Sequence, residues 1–204
     1  MKMFLSRVEL DPCKIKTLDQ LEKYHGWVEN CFPIDLKDPS RPRHLWRIDE
    51  IGAKKYLLIV SANQPDLKIL ERYGVQGTAA TKDYQPFLDN LQAGQKYHFR
   101  LTANPVYVND ADKRRIAHRT VEGQMKWLQE RAERMGVKFL SNTHVTTWGV
   151  KPLLRSRKRI TLVYASYEGE LAITDTEKTK IILQNGIGRE RAYGMGLLTL
   201  LPAD

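Results

Sequence analysis

The sequence predicts an α+β protein made of two tandem ferredoxin-like domains, each a split βαβ unit of RRM-like order. Strand-like and helix-like segments follow one another as β-α-β-β-α-β across residues 3–91, and a comparable order begins again at Tyr97. A short polar stretch with Gly94, residues 92–96, separates the two runs. Such an order suits an antiparallel sheet with both helices on one face. The domains expected are therefore 1–92 and 96–204. The duplication is one of element order, since no repeat aligns residue by residue.

In the first half, residues 3–10 have strand composition, with Phe4, Val8 and Leu10 on one side and Arg7 and Glu9 on the other. Thr17-x-x-Gln20 reads as a capping box opening a helix in which Leu18, Leu21, His25, Val28 and Phe32 recur at helical spacing, ended by Pro33. A polar loop over 35–43 carries Arg41 and Arg43 between prolines. Strands are expected over 44–51, with Trp46 and Ile48 on one face, and over 56–62, joined by a turn at Gly52. A short helix over 65–73 and an extended segment within 81–91 complete the unit.

In the second half, Tyr97, Phe99, Leu101 and Ala103 alternate with His98, Arg100, Thr102 and Asn104, the period-two pattern of a half-buried strand. Residues 110–119 read as a charged loop. Thr120 caps a helix whose Val121, Met125, Leu128, Ala132 and Met135 form an apolar stripe stopped by Gly136. Strands over 139–154 and 160–166 flank a basic turn, and 171–174 extends the second beyond Glu168-Gly169. Asp175 opens a final helix, Gly186 caps it, and 197–201 is the closing strand.

Lys and Arg number 33 against 24 Asp and Glu, a net charge of +9 with pI near 9.5. An excess of that size points to a polyanionic partner more than to a small acidic metabolite. Cys13 and Cys31 lie too far apart for a CxxC pair, no His/Cys cluster has zinc-ligand spacing, and both thiols read as reduced and structural. No metal or other cofactor is expected. The opening residues run straight into Arg7 and Glu9, unlike a signal peptide, and no uncharged apolar run reaches membrane-spanning length, so a cytoplasmic location is expected.

The densest motif is the stretch 185–200, in which Gly186, Gly188, Gly194 and Gly196 surround Arg189 and Arg191 ahead of an apolar run. It is either a loop presenting bare N–H groups and cations to phosphates or a flexible connection with two incidental arginines. A dinucleotide fingerprint is excluded, because the loop follows a helix rather than a strand and position 191 is arginine where the third glycine belongs. The turn Arg155-Ser-Arg157-Lys158-Arg159 carries four cations in five residues. As a hairpin tip it is a solvated turn or a contact to a nucleic-acid backbone. Lys113, Arg114 and Arg115 form a second cationic group. Among the five histidines, His25 stands out beside Tyr24 and Lys23, company suited to phosphate chemistry. Its place in the apolar stripe argues the other way, a buried, hydrogen-bonded core histidine being the commoner explanation at such a position, and His44, His118 and His144 show no partner. The four tryptophans are scattered singly, and no paired acids of a two-metal nuclease are evident.

These residues resemble the CasE family, the CRISPR repeat-processing endoribonucleases of the type I-E Cascade complex. The resemblance runs the whole chain. It is carried by Met3-Phe-Leu-Ser-Arg-Val8, by Leu21-x-x-x-His25 with Trp27 and Phe32-Pro33, and by Tyr97-x-Phe-Arg-Leu-Thr-Ala-Asn-Pro105. Met125-Lys-Trp-Leu128, Tyr167-Glu-Gly-Glu-Leu171, Gly186-Ile-Gly188 and Tyr193-Gly-Met-Gly-Leu-Leu198 continue it. It implies metal-independent cleavage of a CRISPR transcript at the repeat hairpin, with the product guide RNA retained in Cascade beside the other subunits. The family's catalytic histidine falls on His25. Some members carry a tyrosine three residues earlier, where this chain has Glu22, with Tyr24 adjacent to the histidine instead. A basic residue from the inter-strand hairpin is also expected, and Lys158 is the choice over Arg157 or Arg159.

The expected reaction is attack of the ribose 2′-oxygen on the scissile phosphorus, giving a 2′,3′-cyclic phosphate and a 5′-hydroxyl. His25 would serve as general acid or base, Lys158 would stabilise the oxyanion, and Tyr24 would orient a phosphate oxygen. RNA contacts are expected from Arg155, Arg157, Arg159, Arg189, Arg191, Gly186, Gly188, Lys113, Arg114 and Arg115. The alternatives are an RNA-hairpin-binding subunit of the same fold without chemistry and a metal-dependent nuclease.

Overall fold

The computed structural model describes residues 2–35, 41–155 and 158–203, and for residues 154, 155, 158 and 159 the backbone alone. The chain divides into two units, one of residues 1–90 with 191–194, the other of residues 91–190 with 195–204.

The first unit holds β1 (Phe4–Glu9), α1 (Leu21–Asn30), β2 (Leu45–Ile51), β3 (Lys54–Ser61), α2 (Leu67–Leu70), β4 (Ala80–Asp83) and α3 (Gln85–Asp89). Its sheet is antiparallel throughout, in the order β2-β3-β1-β4, which is ferredoxin-like topology. Register follows burial. Phe4, Val8, Leu57 and Ile59 are buried, and Ser6 pairs with Ile59 and Val8 with Leu57. On β2 the Arg47 guanidinium lies buried against Asp49, with Nε and Nη2 donating to the two carboxylate oxygens at 2.6 and 2.8 Å. Deleting either partner would strand a buried charge at a cost of about 3–5 kcal/mol.

Two details differ from the sequence reading. Thr17 ends a 3-10 turn, Lys14–Thr17, so no capping box forms; Gln20 precedes α1 in an extended conformation without a side-chain cap. The extended segment within 81–91 is the short strand β4, and the chain then turns into α3, whose Pro86 supplies a fixed φ in the first turn.

The second unit holds β5 (Lys96–Ala103), β6 (Val106–Val108), β7 (Arg115–Ala117), α4 (Val121–Gln129), α5 (Ala132–Met135), β8 (Val137–Phe139), β9 (His144–Arg155), β10 (Lys158–Ile173), α6 (Thr176–Asn185) and β11 (Leu198–Pro202). Its main sheet runs β11-β5-β10-β8, the same split βαβ arrangement, and β9 pairs along the first part of β10. Thr120 and Asp175 cap α4 and α6 as their sequence contexts predict, accepting from the amides of Gly123 at 3.2 Å and Lys178 at 3.0 Å.

Within the charged segment 110–119, Arg115–Ala117 forms β7, which pairs with β6, and the rest is turn and loop as expected. The helix over 121–135 is interrupted between Gln129 and Ala132, so α4 buries Gln124, Trp127 and Leu128 and leaves Val121 exposed. Residues 160–173 form one continuous strand, with an irregularity in the β9 pairing at Ser166/Tyr167 rather than a break at Glu168-Gly169.

Candidate functional site

His25 occupies the middle of α1, whose Leu21, Trp27 and Val28 are buried. Its side chain nevertheless keeps 33% of its surface exposed, so it is no core residue although it falls on the apolar stripe. Tyr193, in the 3-10 turn Arg191–Tyr193, meets the imidazole edge-on with ring centroids 5.6 Å apart.

The position of that turn follows from its neighbours. Nε1 of buried Trp46 donates to the Ala192 carbonyl at 2.9 Å, and Gly194 lies flat on the same indole. A Cβ at Gly194 would stand 2.8 Å from the ring, and its φ of +79° is one that side chains rarely adopt. Glycine here allows close approach to an aromatic of the protein itself. Tyr24 also stacks on Trp46, with ring centroids 5.9 Å apart at 23°. Burial raises its phenol pKa, which keeps it neutral, and the ring is engaged in packing.

Behind His25 lies a chain of ionisable groups. Its Nδ1 is buried without a hydrogen bond and stands 3.9 Å from Oε1 of Glu29, one helical turn on. Glu29 also meets Nη2 of Arg41 at 2.7 Å and Nδ1 of His44 at 3.1 Å. Nε2 of His44 faces Asp35 at 2.9 Å, and Asp35 accepts from Asn63 at 2.6 Å. Stacking on Phe32 at 3.8 Å fixes the buried His44 ring. A carboxylate faces each nitrogen of the His44 ring. His44 thus has two partners where the sequence suggested none.

Burial lowers the pKa of His25, opposed by the Glu29 charge and aided by Arg41 and His44. The ring is therefore mostly neutral at pH 7, ready to accept a proton. For Glu29, burial pushes the carboxyl up, but the His44 hydrogen bond and the charges of His44, His25 and Arg41 bring it below its ordinary range.

The second unit carries the other cations. Lys113 and Arg114 are exposed and paired with Asp110 at 3.3 Å and Asp112 at 3.6 Å. Arg115 lines a shallow cavity with Asn104, Ile160, Thr161, Arg189 and Glu190, which brings two of the expected contact residues together. Gly186 is buried and its N–H donates to the Ile182 carbonyl at 2.8 Å, while Gly188 lies against the Trp127 ring, so these glycines shape the loop around the protein's own groups. Arg191 is half-buried. Arg157 lies outside the described residues. Arg155 and Lys158 pair through their backbones where β9 meets β10, next to Arg159, and their side chains, like that of Arg159, lie outside the description.

A family model described as CRISPR associated protein matches residues 3–202. The CRISPR-associated endoribonuclease Cse3 of Thermus thermophilus is 28% identical over 216 aligned positions, covering 98% of this chain and 100% of that protein. Among solved structures, the CRISPR endoribonuclease Cse3 bound to 19 nt RNA is similar with a TM-score of 0.84 and 26% identity, covering 99% of this chain and 100% of that one. Thermus thermophilus Cse3 bound to an RNA representing a pre-cleavage complex matches with a TM-score of 0.86 and 25% identity over the same shares. The agreement spans both units, and it places this chain in the CRISPR associated protein family, as a CasE member.

Proposed function

We propose that this protein is an endoribonuclease that cuts a CRISPR precursor transcript beside the repeat hairpin and keeps the product as guide RNA within Cascade, in the cytoplasm. The observation that carries it is His25. On a helix face that otherwise closes the core, this imidazole stays a third exposed, mostly neutral, and edge-on to a tyrosine brought from the far end of the sequence. The relatives' activity on RNA and the excess of 33 basic over 24 acidic residues support the substrate class. Among the described residues no helix is long and apolar enough to cross a membrane.

The nucleophile is the RNA's own 2′-oxygen. Its proton leaves as the bond to phosphorus forms, the bond from phosphorus to the 5′-oxygen breaks, and that oxygen takes up a proton. His25 handles one of these transfers, a role general acid–base groups fill with about 10²–10⁴-fold effect. Tyr193 replaces Tyr24 as the phenol beside it, because Tyr24 stacks on Trp46. Lys158 is assigned the charge on the pentacoordinate phosphorus through the family resemblance alone. Arg155, Arg157 and Arg159 are assigned the contacts that hold the RNA stem, and Arg115, Arg189, Lys113 and Arg114 further contacts to its phosphate backbone. Gly186 and Gly188 shape the loop that carries Arg189, and Arg191 is assigned a further contact to the RNA backbone.

Incubation of the purified protein with a repeat hairpin in excess EDTA tests this reading, with a single 2′-deoxy nucleotide at the cut as the second arm. Cleavage that persists in EDTA and disappears with the deoxy substrate is expected. Binding without cutting would leave an RNA-binding subunit in its place.

A further inference from the structure

We propose that Glu29 is the positioning residue for His25, drawing Nδ1 toward its carboxylate and leaving Nε2 as the nitrogen that meets the RNA. The inference rests on the catalytic reading of His25 and adds the group that orients it. Glu29 lies one turn along the same helix, so its carboxylate and the ring share a face. Nδ1 is the buried nitrogen and has no hydrogen-bond partner, with Oε1 of Glu29 at 3.9 Å. That gap exceeds a hydrogen bond by roughly 1 Å, the loose geometry common before substrate binds and tightens the site.

The carboxylate cannot swing away freely, because Arg41 at 2.7 Å and His44 at 3.1 Å hold it from the segment leading into β2. His44 is anchored in turn by Asp35 and by Phe32. Glu29 is thus a fixed charge, with 15% of its side chain exposed. Of the elements beside His25, the 3-10 turn carries Arg191 and Tyr193, the latter against the ring, and α1 itself carries Glu22, Lys23 and Tyr24. A fixed acceptor on one imidazole nitrogen selects the tautomer and leaves the opposite nitrogen basic.

The test uses the full chain labelled with 15N-histidine, following the His25 tautomer and titration by NMR and the pH dependence of repeat-RNA cleavage. Two variants act with opposite sign. Glu29→Gln removes the charge that raises the His25 pKa, so the titration and the cleavage midpoint both move to lower pH. Arg41→Gln removes a charge that lowers it, so both move to higher pH. A lesion of folding alone would not displace the two in opposite directions. If the wild-type ring is protonated at Nε2 rather than Nδ1, or if neither variant moves its titration, the proposal is overturned. If the ring responds and the cleavage profile does not, Glu29 still positions His25, and the catalytic reading of that histidine falls instead.

Discussion

The two units share one topology and differ in what is added to it. In the first, the sheet β2-β3-β1-β4 has no extra strand among the described residues, and its second helix is a single turn, Leu67–Leu70. In the second, the sheet β11-β5-β10-β8 carries a long β9–β10 ribbon and the β6–β7 hairpin, and the cations expected to meet RNA sit on these additions and on the loop after α6. The first unit concentrates interacting ionisable side chains beside one helix; the second places the cations expected to meet RNA on a ribbon, a hairpin and a loop. Proton transfer needs fixed distances and burial, whereas a phosphate backbone is gripped by many cations that each tolerate some freedom. The frame is common, and the elaboration determines which task each copy can take.

That division can be broken experimentally. The largest effect is expected from His25→Ala, which should reduce single-turnover cleavage by at least ~100-fold while binding stays within severalfold. Equal loss of binding, read by filter retention, would erase the distinction between the units. Replacing Arg155, Arg157 and Arg159 together by alanine should do the reverse, lowering the slope of log affinity against log salt by about 2–3 if each meets a phosphate. Cleavage of saturating RNA should remain. Gly194→Ala sharpens the comparison at the level of folding. Its methyl meets the Trp46 ring at 2.8 Å with φ +79°, and a destabilisation of about 1–3 kcal/mol is expected in denaturant titration. The smallest effect belongs to Tyr24→Phe, which keeps the stacked ring and should change cleavage by less than ~3-fold, under 1 kcal/mol in barrier. A loss near that of His25→Ala would restore Tyr24 to the chemistry.

The strands were legible because alternation writes burial directly into the sequence, as at Tyr97, Phe99, Leu101 and Ala103, all buried on β5. The caps Thr120 and Asp175 were legible because their hydrogen bonds are local. His25 was visible as a candidate, but its exposure was not: periodicity says which face a residue occupies and not where the covering neighbours stop. The partners of His44 and the contact of Tyr193 with His25 bring together distant stretches of chain, and only the fold supplies such pairings. The β6–β7 pair was missed for the same reason, since Lys113, Arg114 and Arg115 have loop composition and Arg115 is held in a strand by its partner rather than by propensity.

Residues 191–194 belong to the first unit although nearly all of the second precedes them in the chain. A ribosome therefore delivers α1 well before its aromatic companion, with nearly all of the second unit made in between. Until then Trp46 lacks the Ala192 carbonyl as its acceptor and His25 lacks Tyr193. Chains still in synthesis carry the imidazole in an unfinished setting, so the order of synthesis withholds the complete surroundings of His25 until residues 191–194 have been made.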